Sequence, residues 1–459
     1  MSSSAMYLKP EDVNTEEKRS KLTVAIIGCG SIGILHAFLF AEAGFKVTCA
    51  DADQTIVNLL AKGRAPFERR ELEARLKVHA KTERMTATSD MKAAASQSDI
   101  IALTAPVKID AKKKPDYSET ERICKQVGLS LRHNTLVIVM SVVGSGIVDG
   151  IYREKLEDAS GLKAGADFGM VYSPLRFAQE QTPETLANQQ RIVAAFDNKS
   201  LEAASLVLGT ISKGGIKKTT NVKAAEMFFL FESSRTNANA AVANELALLC
   251  EKLKVDYLQV QELSKAQAPS MLPFPASEEE SDREKSSLLL EDAENLNAKL
   301  RIVSLAQEVN KETVKRAVNL AGDALRNCGR TVRRARVALL GISRAPNART
   351  PPKKMVLRLA EALKAKGARV SFYDPYYSDL QIADFQPQST RTLAEAVEGT
   401  ECIIIVTGHD EFRNLNLKRL KLMMRKQAAV VDLEGILEPC EVEKEGLIYR
   451  GLGRGVWTK

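Results

Sequence analysis

The stretch LTVAIIGCGSIGILHAFLFAEAG, residues 22–44, decides the fold of this chain. It opens on a β-branched apolar run typical of a buried strand and closes on apolar residues at helical spacing. Between the two, Gly28, Gly30 and Gly33 have the GxGxxG spacing in the strand-to-helix context that this pattern requires. The first glycine permits a tight turn, the second lets a diphosphate approach the backbone, and the third lets helix pack on strand. The predicted dinucleotide contacts are Gly28, Cys29, Gly30, Ser31, Ile32 and Gly33.

An acidic residue follows the next predicted strand. In VTCADAD, Asp51 stands at the strand end, where a carboxylate accepts hydrogen bonds from an adenosine ribose. Asp53 is less suited, because it lies two residues into the following loop. A carboxylate at this place favours NAD over NADP, so NAD is the predicted cofactor.

Short β-branched runs alternate with amphipathic segments from Lys21 onward, and the alternation restarts near residue 331. This predicts an α/β protein with two Rossmann-like, doubly wound parallel sheets. Between them, one long helix is expected from Ala224 and a second helical stretch from about Leu288 to Asn327. The predicted division is a disordered tail at 1–20, a NAD-binding domain at 21–218, a helical central domain at 219–330, and a C-terminal domain at 331–459.

Composition indicates a multidomain globular protein. The 459 residues are 44% apolar and 27% charged, with a formal net charge of +8. No apolar run reaches the ~18 residues of a membrane span, and no nucleic-acid motif accompanies the dispersed basic residues, so neither a membrane nor a nucleic acid is an expected partner. Seven cysteines stand singly, without a CxxC pair, and the N-terminus lacks a secretory signal. We expect no metal site, no disulfide framework and a cytoplasmic location.

Three later stretches are similar to motifs of one enzyme family. ANAAVANELALLCEKLKVD matches a NIAFANEL-type motif at Asn239, Asn244, Glu245 and Leu246, and it is followed by SFYDP and the closing GLIYRGLGRG. With GCGSIG, these motifs make most of the chain resemble the UDP-glucose/GDP-mannose dehydrogenase family. The closing stretch most resembles enzymes that act on UDP-N-acetylhexosamines, such as UDP-N-acetylmannosamine dehydrogenases of polysaccharide biosynthesis.

The resemblance implies a NAD-binding domain, a nucleotide-sugar domain and a homodimer formed through the helix at 224–253. It also implies oxidation of a sugar C6 alcohol to a carboxylate with two NAD. In that chemistry a lysine stabilises the developing oxyanion, and a cysteine traps the aldehyde before a thioester is hydrolysed. Arg176, Asn239 and Arg349 stand at matching positions and are the predicted nucleotide-sugar contacts.

The family positions that carry this chemistry hold other residue types. In YSPLRF, Leu175 stands in place of a glutamate; in AEMFFLFES, Phe229 replaces the lysine and Ser233 an asparagine. Val142 takes the place of a threonine near the reacting centre, and Glu434 that of an arginine. Leucine and phenylalanine cannot relay a proton or stabilise an alkoxide. We expect Phe229, with Phe228 and Phe231, to form helix core.

Other hydroxyl and amino groups are candidate substitutes. LTAP places a hydroxyl at Thr104, and Ser141 stands beside Val142; both are also predicted cofactor contacts. The charged run FPASEEESDREKSSLLL, residues 274–290, occupies the place of the family's glycine-rich cysteine loop and is predicted to be a solvated loop. Asp282 stands at about the cysteine position, with Lys285 close after it.

Three hypotheses follow. The chain is a NAD-dependent nucleotide-sugar 6-dehydrogenase, or it is a non-catalytic relative that binds NAD or a nucleotide as a regulatory or structural partner. The third is a cysteine-independent dehydrogenase that stops at an aldehyde or ketone, using Thr104, Ser141 or Lys285.

Overall fold

The computed structural model describes residues 4–65, 70–110, 114–175, 182–265, 273–275, 280–350, 352–377 and 390–455. Its strands fall into two groups along the chain. The first group is β1 Thr23–Ile27, β2 Lys46–Ala50, β3 Met85–Thr88, β4 Ile100–Leu103, β5 Lys108–Ile109, β6 Pro115–Asp116, β7 Leu136–Val139, β8 Gly169–Tyr172, β9 Arg191–Ala195 and β10 Ile216–Thr219. The second group is β11 Arg336–Leu340, β12 Arg369–Tyr373, β13 Cys402–Ile405, β14 Ala429–Asp432, β15 Ile448–Gly451 and β16 Arg454–Gly455.

The first sheet has the order β10-β9-β8-β7-β4-β1-β2-β3 in the described part of the chain, with β5 and β6 forming a separate hairpin. All its neighbours are parallel except β8 and β9. The strand order reverses at β1, since β2 lies on one side of it and β4 on the other. Ligands of open α/β sheets bind at the carboxyl ends of strands at such a switch point. The stretch after β1 is therefore placed to bind a ligand.

Helices cover this sheet because its strands are buried on both faces. They are α1 Pro10–Val13, α2 Glu16–Arg19, α3 Ser31–Glu42, α4 Gln54–Ala61, α5 Arg70–Lys81, α6 Met91–Ser96, α7 Ser118–Gly128, α8 Glu154–Ser160, α9 Pro183–Asn188 and α10 Asn198–Gly209, with a 3₁₀ turn at Ala5–Tyr7 and a π-helical turn at Val148–Arg153. The prediction of a disordered tail at residues 1–20 is wrong from residue 4 onward. Ala5 and Met6 are fully buried, and they anchor this segment to the sheet domain.

The middle of the chain is helical. Its helices are α11 Val222–Leu253, α12 Tyr257–Lys265, α13 Glu280–Asn295, α14 Arg301–Lys311 and α15 Thr313–Asn327. The long helix from about residue 224 is confirmed. The second helical stretch begins earlier than expected, at Glu280, so residues 280–290 of the charged run are helix rather than loop. Glutamate, arginine and lysine are strong helix formers, and acidic residues favour a helix N-terminus.

The second sheet has the order β12-β11-β13-β14-β15-β16, with only β15 and β16 antiparallel among its described strands. Its helices are α16 Lys354–Ala365, α17 Leu393–Val397, α18 Asp410–Arg413, α19 Leu417–Met423 and α20 Pro439–Lys444. The predicted fold class, two Rossmann-like α/β domains with a helical middle, is confirmed.

Two compact units divide the chain. One comprises residues up to 233 together with 284–299, and the other comprises 234–283 together with 300–459. Each unit combines segments that are not contiguous in sequence. The domain boundaries at residues 218 and 330 therefore stay a prediction. No described helix is both long and apolar enough to cross a membrane.

Candidate functional site

The turn after β1 has the geometry that its glycines predict. Gly28 has φ +95°, and a Cβ there would lie 2.9 Å from the Ala105 amide nitrogen. A Cβ on Gly33 would lie 2.2 Å from the Gly28 carbonyl oxygen, so only glycine permits this approach of helix and strand. Gly30 differs from both, because nothing lies within 4 Å of its Cβ position. The open side of the turn is therefore at Gly30.

Helix α3 begins at Ser31 on the N-cap residue Gly30, without a side-chain cap. Its first amides are thus available to an anion, which the helix dipole also favours. Asp51 accepts hydrogen bonds from the amides of Cys29 at 2.6 Å and Asp53 at 2.9 Å, which fixes its carboxylate beside the turn. Asp53 itself caps α4 by accepting from Thr55. These residues fit NAD: the amides at 30–33 would hold the diphosphate, and Asp51 would hold the adenosine ribose.

Cys29 is buried inside the turn. A hydrogen bond with the Cys49 thiol, burial and the nearby Asp51 carboxylate raise the pKa of its thiol well above the ordinary value. The group stays a neutral thiol, so the predicted cofactor contact of Cys29 is one its backbone would make.

The hydroxyls of Thr104 and Ser141 are engaged by backbone carbonyls. Thr104 donates to Ile27 and Gly28, and Ser141 donates to Ala105. These three bonds hold together the carboxyl ends of neighbouring strands. Neither residue lines the cavity described next, so their geometry does not favour them as substitute catalytic groups.

A cavity of about 410 Å³ lies in the first unit, at the end of the sheet where β7 and β8 finish. It brings together Val142, Leu175, Phe229, Ser233 and Lys285, all of which the sequence singled out. The complete lining is Val142, Pro174, Leu175, Gln189, Gln190, Ile192, Phe228, Phe229, Glu232, Ser233 and Lys285. Volumes of roughly 300–1,000 Å³ are typical of small-molecule sites.

Hydrocarbon forms much of the cavity wall. Phe229 is buried and packs edge-on against Tyr172 of β8, with ring centroids 6.2 Å apart. Phe228 packs edge-on against Phe229 at 5.2 Å. The expectation that all three phenylalanines are helix core is wrong for two of them, because Phe228 is 44% exposed and Phe231 56%. Their positions on α11 turn Phe228 toward the cavity and Phe231 outward.

Carboxylates anchor α13, the helix that carries Lys285. Asp292 accepts a hydrogen bond from the Ser145 amide at 2.8 Å, and Glu291 pairs with Lys114 at 3.2 Å. Glu226 of α11 holds the same loop by accepting from the amides of Gly146 and Val148.

Burial raises the pKa of both Glu226 and Asp292; the nearby Asp292 carboxylate also raises the pKa of Glu226, and the neighbouring Glu291 raises that of Asp292. Burial also raises the pKa of Tyr117, whose hydroxyl accepts from the Gly144 amide, to about 12. The loop after β7 is thus fixed by two carboxylates and a neutral phenol.

In the second unit, polar groups gather where β11, β12 and β13 end. Glu434 pairs with Lys353 at 2.8 Å, and Lys353 also donates to the Val406 carbonyl. The lysine offsets the charge of the carboxylate that stands in place of an arginine. Arg349, a predicted nucleotide-sugar contact, lies over the Tyr377 ring with its guanidinium carbon 5.2 Å from the centroid.

The structure also reveals a pair that sequence reasoning missed. His409 and Asp374 are buried and lie 3.2 Å apart, and the histidine accepts from the Asn347 amide through Nδ1. The strand-end position of Asp374 in SFYDP was the available signal. The cavity residues Gln189, Gln190 and Glu232 were likewise not predicted as a group, although Glu232 lies one helical turn from Phe228.

Two predicted residues fall outside what the structure describes. Arg176 lies in the undescribed segment 176–181, and Asp282 lies in α13 where side chains are not described. Asn239 is partly buried on α11, in the second unit, and is not among the residues that line the cavity. Among the described residues, no group of three histidine, cysteine or acidic side chains could hold a metal ion.

Comparisons with known proteins agree with this architecture. A model of the NAD binding domain of the UDP-glucose/GDP-mannose dehydrogenase family matches residues 22–208, and one of that family's UDP binding domain matches residues 338–439. UDP-N-acetyl-D-mannosamine dehydrogenase of Pyrococcus horikoshii is 27% identical over 95% of this chain and 100% of its own. UDP-glucose 6-dehydrogenase of Rhizobium meliloti is 25% identical over 94% of this chain and all of its own.

A solved structure of the P. horikoshii UDP-D-ManNAc dehydrogenase superimposes with a TM-score of 0.84, covering 95% of this chain and 100% of that one at 25% identity. The glycine turn with Asp51 lies within the first matched domain, and strands β12, β13 and β14 of the second sheet lie within the second. The chain belongs to the UDP-glucose/GDP-mannose dehydrogenase family, with that family's NAD-binding and UDP-binding domains.

Proposed function

We propose that this chain binds NAD and a nucleotide sugar, of the UDP-N-acetylmannosamine type, without oxidising the sugar to a carboxylate. It would act as a regulatory or structural partner. The observation that carries the proposal is the cavity, where Leu175, Phe229 and Val142 supply hydrocarbon in place of a proton acceptor, a cation and a hydroxyl. The nucleotide-sugar class rests on the UDP-binding domain and on the relatives that bear this name.

Leu175 and Phe229, at the positions where the resemblance implies a glutamate and a lysine, support the proposal. Loss of a single oxyanion donor costs about 100- to 1,000-fold in rate, and effects of this kind fall on at least two positions here. The thiol step is also unsupported, since no cysteine is among the described residues of the cavity wall. Cys328 is buried in the core of the other unit, and Cys250 also belongs to that unit.

One observation favours a second candidate, a two-electron dehydrogenase. Lys285 and Glu232 line the same cavity, and both have partners within the protein. NAD, when bound, supplies the hydride acceptor. Glu232 would take the hydroxyl proton and the Lys285 ammonium would stabilise the alkoxide, so that an alcohol becomes an aldehyde or ketone as one NAD is reduced.

An absorbance assay separates these functions. Purified chain is incubated with NAD and a panel of UDP- and GDP-sugars, with the P. horikoshii relative as positive control, and NADH is followed at saturating substrate. The proposal expects no NADH above background, together with NAD binding seen by calorimetry. One NADH per sugar, lost in Lys285→Met, would favour the second candidate, and absence of NAD binding would contradict both.

The homodimer predicted through α11 is also part of the proposal. Val242, Leu246, Leu249 and Leu253 recur at helical spacing and are each at least 38% exposed. An apolar stripe of this kind on one helix fits a second copy of the same helix. We expect the chain to sediment as a dimer and Leu249→Glu to sediment as a monomer with unchanged circular dichroism. The matched control, Glu245→Gln on the same helix, should stay dimeric.

A further inference from the structure

Six exposed arginines gather at the amino edge of the second sheet. β11 and β12 run parallel and begin at Arg336 and Arg369, which stand opposite each other in register. The turns that lead into these strands carry more of them, since the Arg334 amide donates to the Gly367 carbonyl just before β12. The basic edge, as we call this set, consists of Arg330, Arg333, Arg334, Arg336, Arg369 and Arg425.

Carboxylates offset little of the charge at this edge. Glu401 accepts a hydrogen bond from the Arg336 amide at 2.7 Å and pairs with Arg425 at 3.5 Å, but it is buried. Glu398 is exposed close by, next to Gly399. Within the described part of the chain, the other five arginines form no ion pair with a carboxylate. The basic edge is therefore positively charged, in a chain whose formal net charge is +8.

An exposed leucine lies at the same edge. Leu422, on α19, is 86% exposed, more than any other large apolar side chain of the described residues. Two contacts of Gly399 place it there: the Gly399 amide donates to the carbonyl of Met423, and a Cβ on Gly399 would lie 2.9 Å from the Arg336 guanidinium. A single exposed leucine is common on proteins. Set among guanidinium groups, it matches the composition of surfaces that bind anionic bilayers.

We infer that the basic edge binds the surface of a membrane that contains anionic lipids. Its guanidinium groups would donate hydrogen bonds to lipid phosphates, and Leu422 would enter the boundary between headgroups and acyl chains. The expectation of no membrane partner rested on the lack of a spanning segment, which binding of this kind does not need. Arg349 and Lys353 follow β11 at the opposite edge of the sheet, so the inference is independent of the proposed nucleotide-sugar site.

Two other partners fit the basic edge less well. Single-stranded nucleic acid stacks its bases on aromatic side chains, and no aromatic residue occurs at 329–336 or 421–428, the segments that carry most of this edge. An acidic protein would need an apolar core in its interface. At this edge the described residues offer one exposed large apolar side chain, Leu422. A flat anionic surface needs neither feature, because its attraction acts over a distance and without shape matching.

Vesicle sedimentation tests the inference. The full chain is mixed with vesicles of phosphatidylcholine, or of phosphatidylcholine with about one third phosphatidylglycerol, at about 0.05 M and about 0.5 M NaCl. We expect binding to the anionic vesicles at low salt and release at high salt, because salt screens exposed charges. Equal binding to both kinds of vesicle, or to neither, would overturn the inference. A DNA duplex that binds as tightly at the same salt would assign the basic edge to nucleic acid instead.

Paired variants locate the binding. Arg333→Glu with Arg334→Glu should lower the partition coefficient by about 30-fold or more, since each basic residue near an anionic surface contributes about a factor of five. Lys62→Glu with Lys92→Glu makes the same change of net charge at exposed sites of the first unit and should retain most of the binding. Leu422→Ser changes no charge and should weaken binding by about 10-fold.

Equal losses in the two charge variants would mean that net charge, and not the basic edge, attracts the membrane. An unchanged partition coefficient in Leu422→Ser would contradict the insertion of the leucine. Circular dichroism checks that each variant folds, and Arg330→Gln with Arg369→Gln serves if the first pair does not.

Discussion

The glycine turn after β1 and the cavity beyond β7 and β8 lie at the same edge of one sheet, yet they offer a ligand different kinds of groups. The turn retains what a dinucleotide needs, which is backbone geometry: glycines that allow close approach, uncapped amides and the Asp51 carboxylate. The cavity instead depends on side chains, and Leu175, Phe229 and Val142 in its wall supply hydrocarbon. The proposed function thus separates binding, which depends on the backbone here, from oxidation, which depends on side chains.

The largest expected effect comes from the turn itself. Gly30→Val should fold normally, because nothing lies within 4 Å of its Cβ position, yet reduce NAD affinity by about 100-fold by occupying the approach to the helix amides. The Gly33→Val variant should instead lose stability, by about 3 kcal/mol, because its Cβ would lie 2.2 Å from the Gly28 oxygen. Calorimetry with NAD and thermal unfolding measure the two. Unchanged NAD affinity in Gly30→Val would place the cofactor elsewhere.

A smaller effect is expected at the ribose. Asp51→Ala should weaken NAD binding by about 10- to 100-fold, since it removes both the ribose acceptor and the partner of the Cys29 amide. Asp53→Ala is the control: it removes the cap of α4 and about 1 kcal/mol of stability, without changing NAD affinity. Equal losses of affinity in the two variants would refute the assignment of Asp51.

The smallest effect concerns the loop beside the cavity. Because burial raises the pKa of Glu226 and Asp292, the folded chain holds these protons more strongly than the unfolded chain does. Their contribution to stability is complete below the ordinary carboxyl pKa values and is lost as the pH rises through the raised ones.

Denaturant unfolding at several pH values should therefore give a free energy of unfolding that falls as the pH rises through that window. The fall should come mainly from Glu226, since Asp292 is more exposed to solvent. Glu226→Gln should flatten the dependence, and Glu245→Gln, an exposed change on the same helix, should leave it as it is. If the Glu226→Gln variant keeps the same pH dependence of the free energy of unfolding, that dependence arises from other carboxylates.

Much of the turn could be predicted from sequence, because GxGxxG and a strand-end aspartate specify local geometry. The cavity could be predicted only as a set of replaced positions. Lys285 lines the cavity because α13 begins at Glu280 and because Asp292 anchors this helix. A charged run in the sequence reveals neither feature. The bonds of Thr104 and Ser141 to carbonyls on neighbouring loops likewise arise from packing between strands distant in sequence.

The most direct test of the central claim is the yield of NADH per nucleotide sugar, measured by absorbance with saturating NAD. The same protein preparation is first tested for NAD binding by calorimetry. We predict binding without reduction across the panel of UDP- and GDP-sugars. Two NADH formed per UDP-sugar would contradict the claim, since it would mean that the four-electron oxidation proceeds in a cavity walled by Leu175 and Phe229.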